Sequence, residues 1–176
     1  LDRDGHDDFL VTDMLSRDPV RRQADFQNLA PDFEPFTGLD ARPQVPRNTL
    51  QRGRGDGSYA EVAWMSGIAA TEWSWSPVLL DVDLDGYEDV LITTGFERNV
   101  QDADIAEEIE RIRQAQKLSD AAALQLRRRF PSHALPNQAW RNLGGMRFEE
   151  SGTNWGFQLH GISQGIALAD LDNDGD

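Results

Sequence analysis

The chain has 176 residues, 31 Asp and Glu against 17 Lys and Arg, a formal net charge of −14 and no cysteine. So acidic a composition argues against non-specific binding to nucleic acid or anionic membranes, which needs basic patches, and the absence of cysteine excludes disulfides and thiol chemistry. No run approaches the roughly 20 apolar residues of a membrane span. No signal peptide is visible at Leu1.

In chain order, the first feature is an acidic turn, LDRDGHDD, at residues 1–8, followed by the short strand pattern DFLVTD. Residues 14–47 read as a polar, proline-bearing insert with a short helix near Pro19–Leu29. Thr49–Arg52 and Ser58–Val62 flank Gly-Arg-Gly-Asp-Gly, a hairpin signal. SPVLLDV (76–82) is an apolar run that predicts a buried strand, and DVLITT (89–94) predicts another. Between them lies DVDLDGYED, residues 81–89, in which five of nine side chains are carboxylic acids. Residues 102–130 predict a helical hairpin: Ile105, Ile109 and Ile112 form one helical stripe, Ser119 and Asp120 suit a fresh N-cap, and Leu124 and Arg127–Arg129 follow. A second hairpin, Ala139–Asn142 with Met146–Glu149, closes around Leu-Gly-Gly. GIALADL (165–171) predicts a last buried strand, leading into DLDNDGD at 170–176.

These features repeat. Asp170, Asp172, Asp174 and Gly175 fall on Asp81, Asp83, Asp85 and Gly86, and Asp2, Asp4, Gly5 and Asp8 fall on Asp83, Asp85, Gly86 and Asp89. The pattern D-x-D-x-D-G-x-x-D therefore occurs three times; the first copy lacks its first Asp and the third lacks its ninth position. NTLQRGRGDGSYAEV (48–62) parallels NQAWRNLGGMRFEES (137–151), and Asn48 precedes Asp81 by the same 33 residues that separate Asn137 from Asp170. Four strands per unit follow: one before the acidic loop, one after it, then a hairpin. Four-stranded units repeated radially are propeller blades. The expected fold is all-β, a propeller fragment with a helical hairpin insert. It divides into a partial blade at 1–75, a complete blade at 76–150 and the start of a third at 151–176.

Carboxylates crowded on a tight turn call for a cation. Asp81, Asp83 and Asp85 can supply monodentate oxygens, Gly86 the sharp bend, Tyr87 its carbonyl and Asp89 the closing ligand. Six or seven hard oxygens suit calcium better than magnesium or zinc. An EF-hand starts alike but needs Glu at its twelfth position, where this chain has Ile92 in a strand-like run. The bland alternative is an acidic surface turn, since Asp-Gly turns are common; three copies in register favour calcium.

DVDLDGYEDVLIT and IALADLDNDGD resemble FG-GAP (VCBS-type) repeats, the blades of integrin α-subunit propellers. The order of NTLQRGRGDGSYAEV, EWSWSPVLLDVDLDGYED and GISQGIALADLDNDGD is similar to bacterial relatives of cartilage acidic protein. The resemblance covers nearly the whole chain apart from the two inserts. It implies a calcium-stabilised propeller of about seven blades in a secreted, periplasmic or cell-surface protein. By matching positions it adds Asp2, Asp4, His6 (carbonyl) and Asp8, and Asp170, Asp172, Asp174 and Asp176 (carbonyl), to the ligands of the central loop.

The expected function is a non-catalytic binding or adhesion scaffold for a protein or glycan at the cell surface. The alternatives are a non-catalytic part of an extracellular polysaccharide lyase or hydrolase, and a structural array whose helical insert recognises a partner. Arg54-Gly55-Asp56 spells an integrin-recognition tripeptide, but a hairpin turn wants its Gly and Asp for backbone reasons. Among the tryptophans, Trp73 and Trp75 are the foremost candidates for sugar stacking, although Trp64, Trp73, Trp75, Trp140 and Trp155 all suit packing between blades. His6, His133 and His160 show no metal or catalytic spacing, and no nucleophile elbow or phosphate loop appears. Arg127–Arg129 can dock an acidic partner or simply complete a helix C-terminus.

Overall fold

The computed structural model describes residues 1–25 and 46–170. The fold is mixed but mostly β, with several antiparallel sheets and a few short helices. A three-stranded sheet runs β1 (Phe9–Val11), β2 (Thr49–Gly53), β3 (Tyr59–Glu61). A four-stranded sheet contains β4 (Ser74–Leu80), β5 (Asp89–Thr94), β9 (Gln138–Asn142) and β10 (Phe148–Glu150), in the order β10-β9-β5-β4. Two small ladders pair β6 (Phe96–Arg98) with β7 (Ser132–His133), and β8 (Leu135–Pro136) with β11 (His160–Gly161).

The repeat is present in the register itself. Leu10 faces Leu50 as Leu91 faces Ala139, and Gln51 faces Glu61 as Trp140 faces Glu150. Thus β1, β2 and β3 correspond pair by pair to β5, β9 and β10. The same two hairpins also hold the same special backbone: Gly55 and Gly57 have positive φ, as do Gly144 and Met146.

The two sheets share one core. Leu50 from β2, Val90 and Ile92 from β5, Trp140 from β9 and Met146 from the second hairpin cluster with Ala63, Ile68 and Ala69. Ala63 begins α2 (Ala63–Ser66), the one-turn helix joining the sheets, which Gly67 ends in the left-handed region at φ 81°. Complete burial of side chains such as Leu50 or Ile92 stabilises by about 1.5–3 kcal/mol each. β5 is buried along its whole length because strands flank it on both sides and the core covers its face.

Asn48 and Asn137 stitch each unit below its acidic loop. Asn48 Oδ1 accepts from Asp13 N at 2.7 Å, and Asn137 Oδ1 accepts from Thr94 N at 3.1 Å. Asn48 Nδ2 also donates to Ile68 O at 2.8 Å, reaching the segment that enters the next sheet.

Both inserts leave the sheets at the end opposite the acidic loops. In the first, α1 spans Pro19–Ala24, capped by Asp18; residues 26–29 of the expected helix lie outside the described residues. The second forms α3 (Ala103–Ala115), capped by Asp102 accepting from Ile105 N at 3.1 Å, then α4 (Asp120–Leu126), capped by Ser119. A 3-10 turn over Arg127–Arg129 completes it. Ile109 of the isoleucine stripe is buried, and Arg129 pairs with Glu108 across the two helices. The inserts touch: Asp25 and Asp102 form an isolated β-bridge, and Asn99 Nδ2 donates to Asp25 Oδ1 at 3.1 Å.

Two expected buried strands differ. β4 forms, but as the sheet edge, with Leu79 and Leu80 exposed; Pro77 sits there because an edge strand can dispense with a donor. Its pairing with β5 shifts between Ser74 and Pro77. GIALADL forms no strand over its described residues, and Leu168 is exposed. A strand exists only where another takes its hydrogen bonds, and no strand among the described residues pairs with this run. The chain before it instead crosses back: β11 pairs with β8, and Ser163 N donates to Thr94 O at 2.9 Å. Gly95, at φ 103°, permits this approach, since a Cβ there would collide with Gly161 O.

Candidate cation site

Residues 81–88 connect β4 to β5, and the loop is held largely by its own aspartates. Asp81 accepts from Asp85 N at 3.0 Å and Gly86 N at 2.8 Å, and Asp85 accepts from Tyr87 N at 3.0 Å. Leu84 and Gly86 take positive φ, 58° and 95°, which folds the chain back on itself. The closing residue, Asp89, is fully buried at the start of β5. Its Oδ1 accepts from Asn142 N and its Oδ2 from Val82 N, both at 2.8 Å.

This folding brings one oxygen from each of Asp81, Asp83 and Asp89 within 4.8 Å of one another. Among the described residues it is the one group of three or more candidate ligands so placed. Three carboxylates converging from a loop and a strand can hold a metal ion with hard oxygen ligands. Burial raises the Asp89 carboxyl above its usual range against the pull of the Asn142 and Val82 N–H groups, and the charges of Asp83 and Asp85 push the same way as burial. A positive charge is what this electrostatics favours.

Asp85 lies outside this group. The Tyr87 N–H, burial opposing it, holds the Asp85 carboxyl below its usual range, with help from Arg141. Arg141 Nη2 donates to Asp85 Oδ2 at 3.0 Å, and its Nε lies 2.6 Å from Asp83 Oδ2. Asp85 is thus engaged by a backbone donor and a guanidinium, outside the convergent three. The Tyr87 ring lies over Gly144, where a Cβ would stand 3.5 Å from Cζ.

The first loop repeats this geometry. Arg3 and Gly5 take positive φ at the positions of Leu84 and Gly86. Asp4 accepts from His6 N at 3.0 Å as Asp85 accepts from Tyr87 N. Asp8 Oδ1 accepts from Gly53 N at 2.9 Å and Oδ2 from Leu1 N at 2.7 Å, the counterparts of the Asn142 and Val82 contacts. Arg52 donates from Nε to Asp2 at 2.6 Å and from Nη2 to Asp4 at 3.2 Å, as its counterpart Arg141 bridges Asp83 and Asp85. The His6 backbone lowers the Asp4 carboxyl's pKa against burial, and Arg52 adds to it. Asp2, Asp4 and Asp8 form no such convergent group among the described residues. Of the third copy, Asp170 is an exposed coil residue, and Asp172, Asp174 and Asp176 lie outside the described residues.

Arg52 and Arg141 are the site residues that reasoning from acidic positions overlooks. Their signal is present: NTLQRG and NQAWRN carry Arg at the same step of the repeat. Elsewhere, Asp56 accepts from both Ser58 N and Oγ, so the Arg-Gly-Asp carboxylate serves its own turn, and Gly55 leaves room for the His6 ring. Trp73 is buried and stacked on Phe96 at 4.6 Å, whereas Trp75 is partly exposed with Nε1 bonded to Gly95 O at 2.7 Å. Trp140 is buried in the core, and Trp64 is exposed beneath the Arg22 guanidinium. No helix among the described residues is long and apolar enough to cross a membrane. No family model, curated protein or solved structure matches the chain.

Proposed function

We propose that this chain is a segment of an FG-GAP-type propeller that binds calcium at its acidic loops and acts as a non-catalytic, extracellular binding scaffold. The observation that carries the reading is the convergence of Asp81, Asp83 and Asp89 in a loop whose backbone and hydrogen bonds recur in a second unit. The antiparallel order β4-β5-β9-β10 is compatible with the meander of a propeller blade, and β1-β2-β3 with strands two to four of a neighbouring one. The core between the two sheets fits a blade that needs a neighbour to bury its face. Calcium at the central loop neutralises carboxylates that otherwise repel, and clamps β4 to β5. Affinities of about 0.1–1 mM belong to extracellular modules, and at tenfold excess over Kd one site adds about 1.4 kcal/mol.

Calorimetric titration of the chelator-treated protein with calcium tests the reading, with Asp83→Asn as control. Saturable binding that Asp83→Asn weakens about tenfold or more, and that magnesium does not reproduce, is the expected result. Absence of calcium binding to the unaltered chain up to about 10 mM overturns it.

A further inference from the structure

The helical insert ends on the chain's one basic run, and two of its arginines line a cavity together with a third. Arg127 and Arg128 line a space of about 250 Å³ together with Arg98 at the end of β6. Among the described residues none of the three has a carboxylate within ion-pair distance, whereas the adjacent Arg129 is taken by Glu108. Arg98 is half-buried, fixed by a bond from Nη1 to Phe130 O at 3.1 Å, and its Nε finds no acceptor among the described residues. Three unanswered guanidiniums around one small space stand out in a chain of net charge −14.

Two features oppose the positive charge. Glu97 also lines the cavity, and the carbonyl end of α4 contributes up to about half a negative charge. The balance is roughly one and a half positive charges, which matches a monoanion better than a dianion. The walls are not uniformly polar: Phe96 and Leu124 line the same space. Phe96 is backed by Trp73, stacked on it with an interplanar angle of 3°, so this wall is a supported aromatic surface. The volume lies below the roughly 300–1,000 Å³ of drug-sized pockets, which limits the occupant to a small molecule. Guanidinium forks match the two oxygens of a carboxylate.

We propose that this cavity binds a small monocarboxylate with an apolar body, the carboxylate held by Arg98, Arg127 and Arg128 and the body resting on Phe96 and Leu124. The site lies on the insert side of the molecule, away from the acidic loops, and is independent of the calcium reading.

Titration of the isotope-labelled full chain, followed by amide chemical shifts at constant ionic strength, tests this with three probes: benzoate, benzamide and inorganic phosphate. Benzoate is expected to give saturable shifts centred on residues 96–100 and 124–130. Benzamide, of the same shape without the charge, is expected to bind at least about tenfold more weakly, and the exposed double variant R127Q/R128Q to weaken benzoate by about tenfold or more. Arg98→Lys, which keeps the charge but loses the fork, is expected to weaken it by a smaller factor. The proposal is overturned if benzoate shows no saturation up to about 50 mM, if benzamide binds equally well, if R127Q/R128Q binds benzoate undiminished, or if phosphate binds more tightly than benzoate.

Discussion

Arg141 answers the negative charge of the central loop, bridging Asp83 and Asp85, as Arg52 bridges Asp2 and Asp4. Both guanidiniums are more than a third exposed, so solvent and salt screen each bridge. Arg141→Gln is therefore expected to lower the melting temperature by no more than about 4 °C in chelator. Calcium, if it occupies the loop, takes over the same neutralisation, so the deficit should shrink at saturating calcium. An equal deficit in both conditions would show that Arg141 and the ion do not share a role. Asn48 is a different kind of residue: it is fully buried and bonds Asp13 N, Ile68 O and Thr71 Oγ1 at once. Asn48→Ala strands buried partners and should cost about 2–3 kcal/mol in denaturant unfolding; a loss below about 1 kcal/mol would contradict that role. His133 sets a pH dependence. Burial, then the charge of Arg21, holds its pKa below the ordinary 6.5, with Asp25 and Glu72 pulling the other way. Below 6.5 the unfolded chain binds a proton that the folded chain refuses, so this contribution to stability falls as pH drops through that value. Denaturant midpoints at about pH 7.5 and 5.5 should therefore differ more for the natural chain than for His133→Gln; equal slopes would remove His133 from the explanation.

At the scale of elements, the described helices of the inserts depend on caps more than on burial. α3 offers one buried residue, Ile109, while Asp102 caps its first turn and bridges Asp25 of the other insert. Asp102→Ala should cost α3 about 0.5–2 kcal/mol. It should speed amide exchange over residues 103–115 while leaving β5 and β9 protected; unchanged exchange in α3 would mean tertiary contacts hold the helix without its cap. What was legible in the sequence follows the same division between local and distant causes. Both hairpins, the helix caps and the paired registers follow from turn chemistry and a repeat, which act over a few residues. SPVLL and GIALA look equally like buried strands because an apolar run does not say whether a partner lies on both sides, on one or on neither. Asp81, Asp83 and Asp89 were legible as a cluster. That Arg141 bridges Asp83 to Asp85, which stays outside the cluster, was not, because Arg141 comes from a strand 56 residues from Asp85 and reads alone as a solvent-facing charge.

For the whole molecule, the decisive feature is that neither sheet owns its core. Leu50 belongs to the three-stranded sheet, yet it clusters with Val90, Ile92 and Trp140 of the four-stranded one. Asn142 reinforces this coupling, donating from Nδ2 to Leu1 O at 2.9 Å and to Glu88 O at 3.0 Å, so one side chain ties both acidic loops. Sheets held by separate cores would unfold separately; sheets closing on one core lose it together. Leu50→Ala removes a side chain with no solvent exposure and leaves a cavity between the sheets, at a cost of about 2–5 kcal/mol. The loss should appear in the four-stranded sheet as much as in the sheet that carries the substitution. Amide exchange read separately over β1–β3 and over β4, β5, β9 and β10 is expected to accelerate in both, with denaturant unfolding remaining one transition. Protection lost only in β1–β3 would mean that the four-stranded sheet keeps its own core, and that these units need no neighbour to stand.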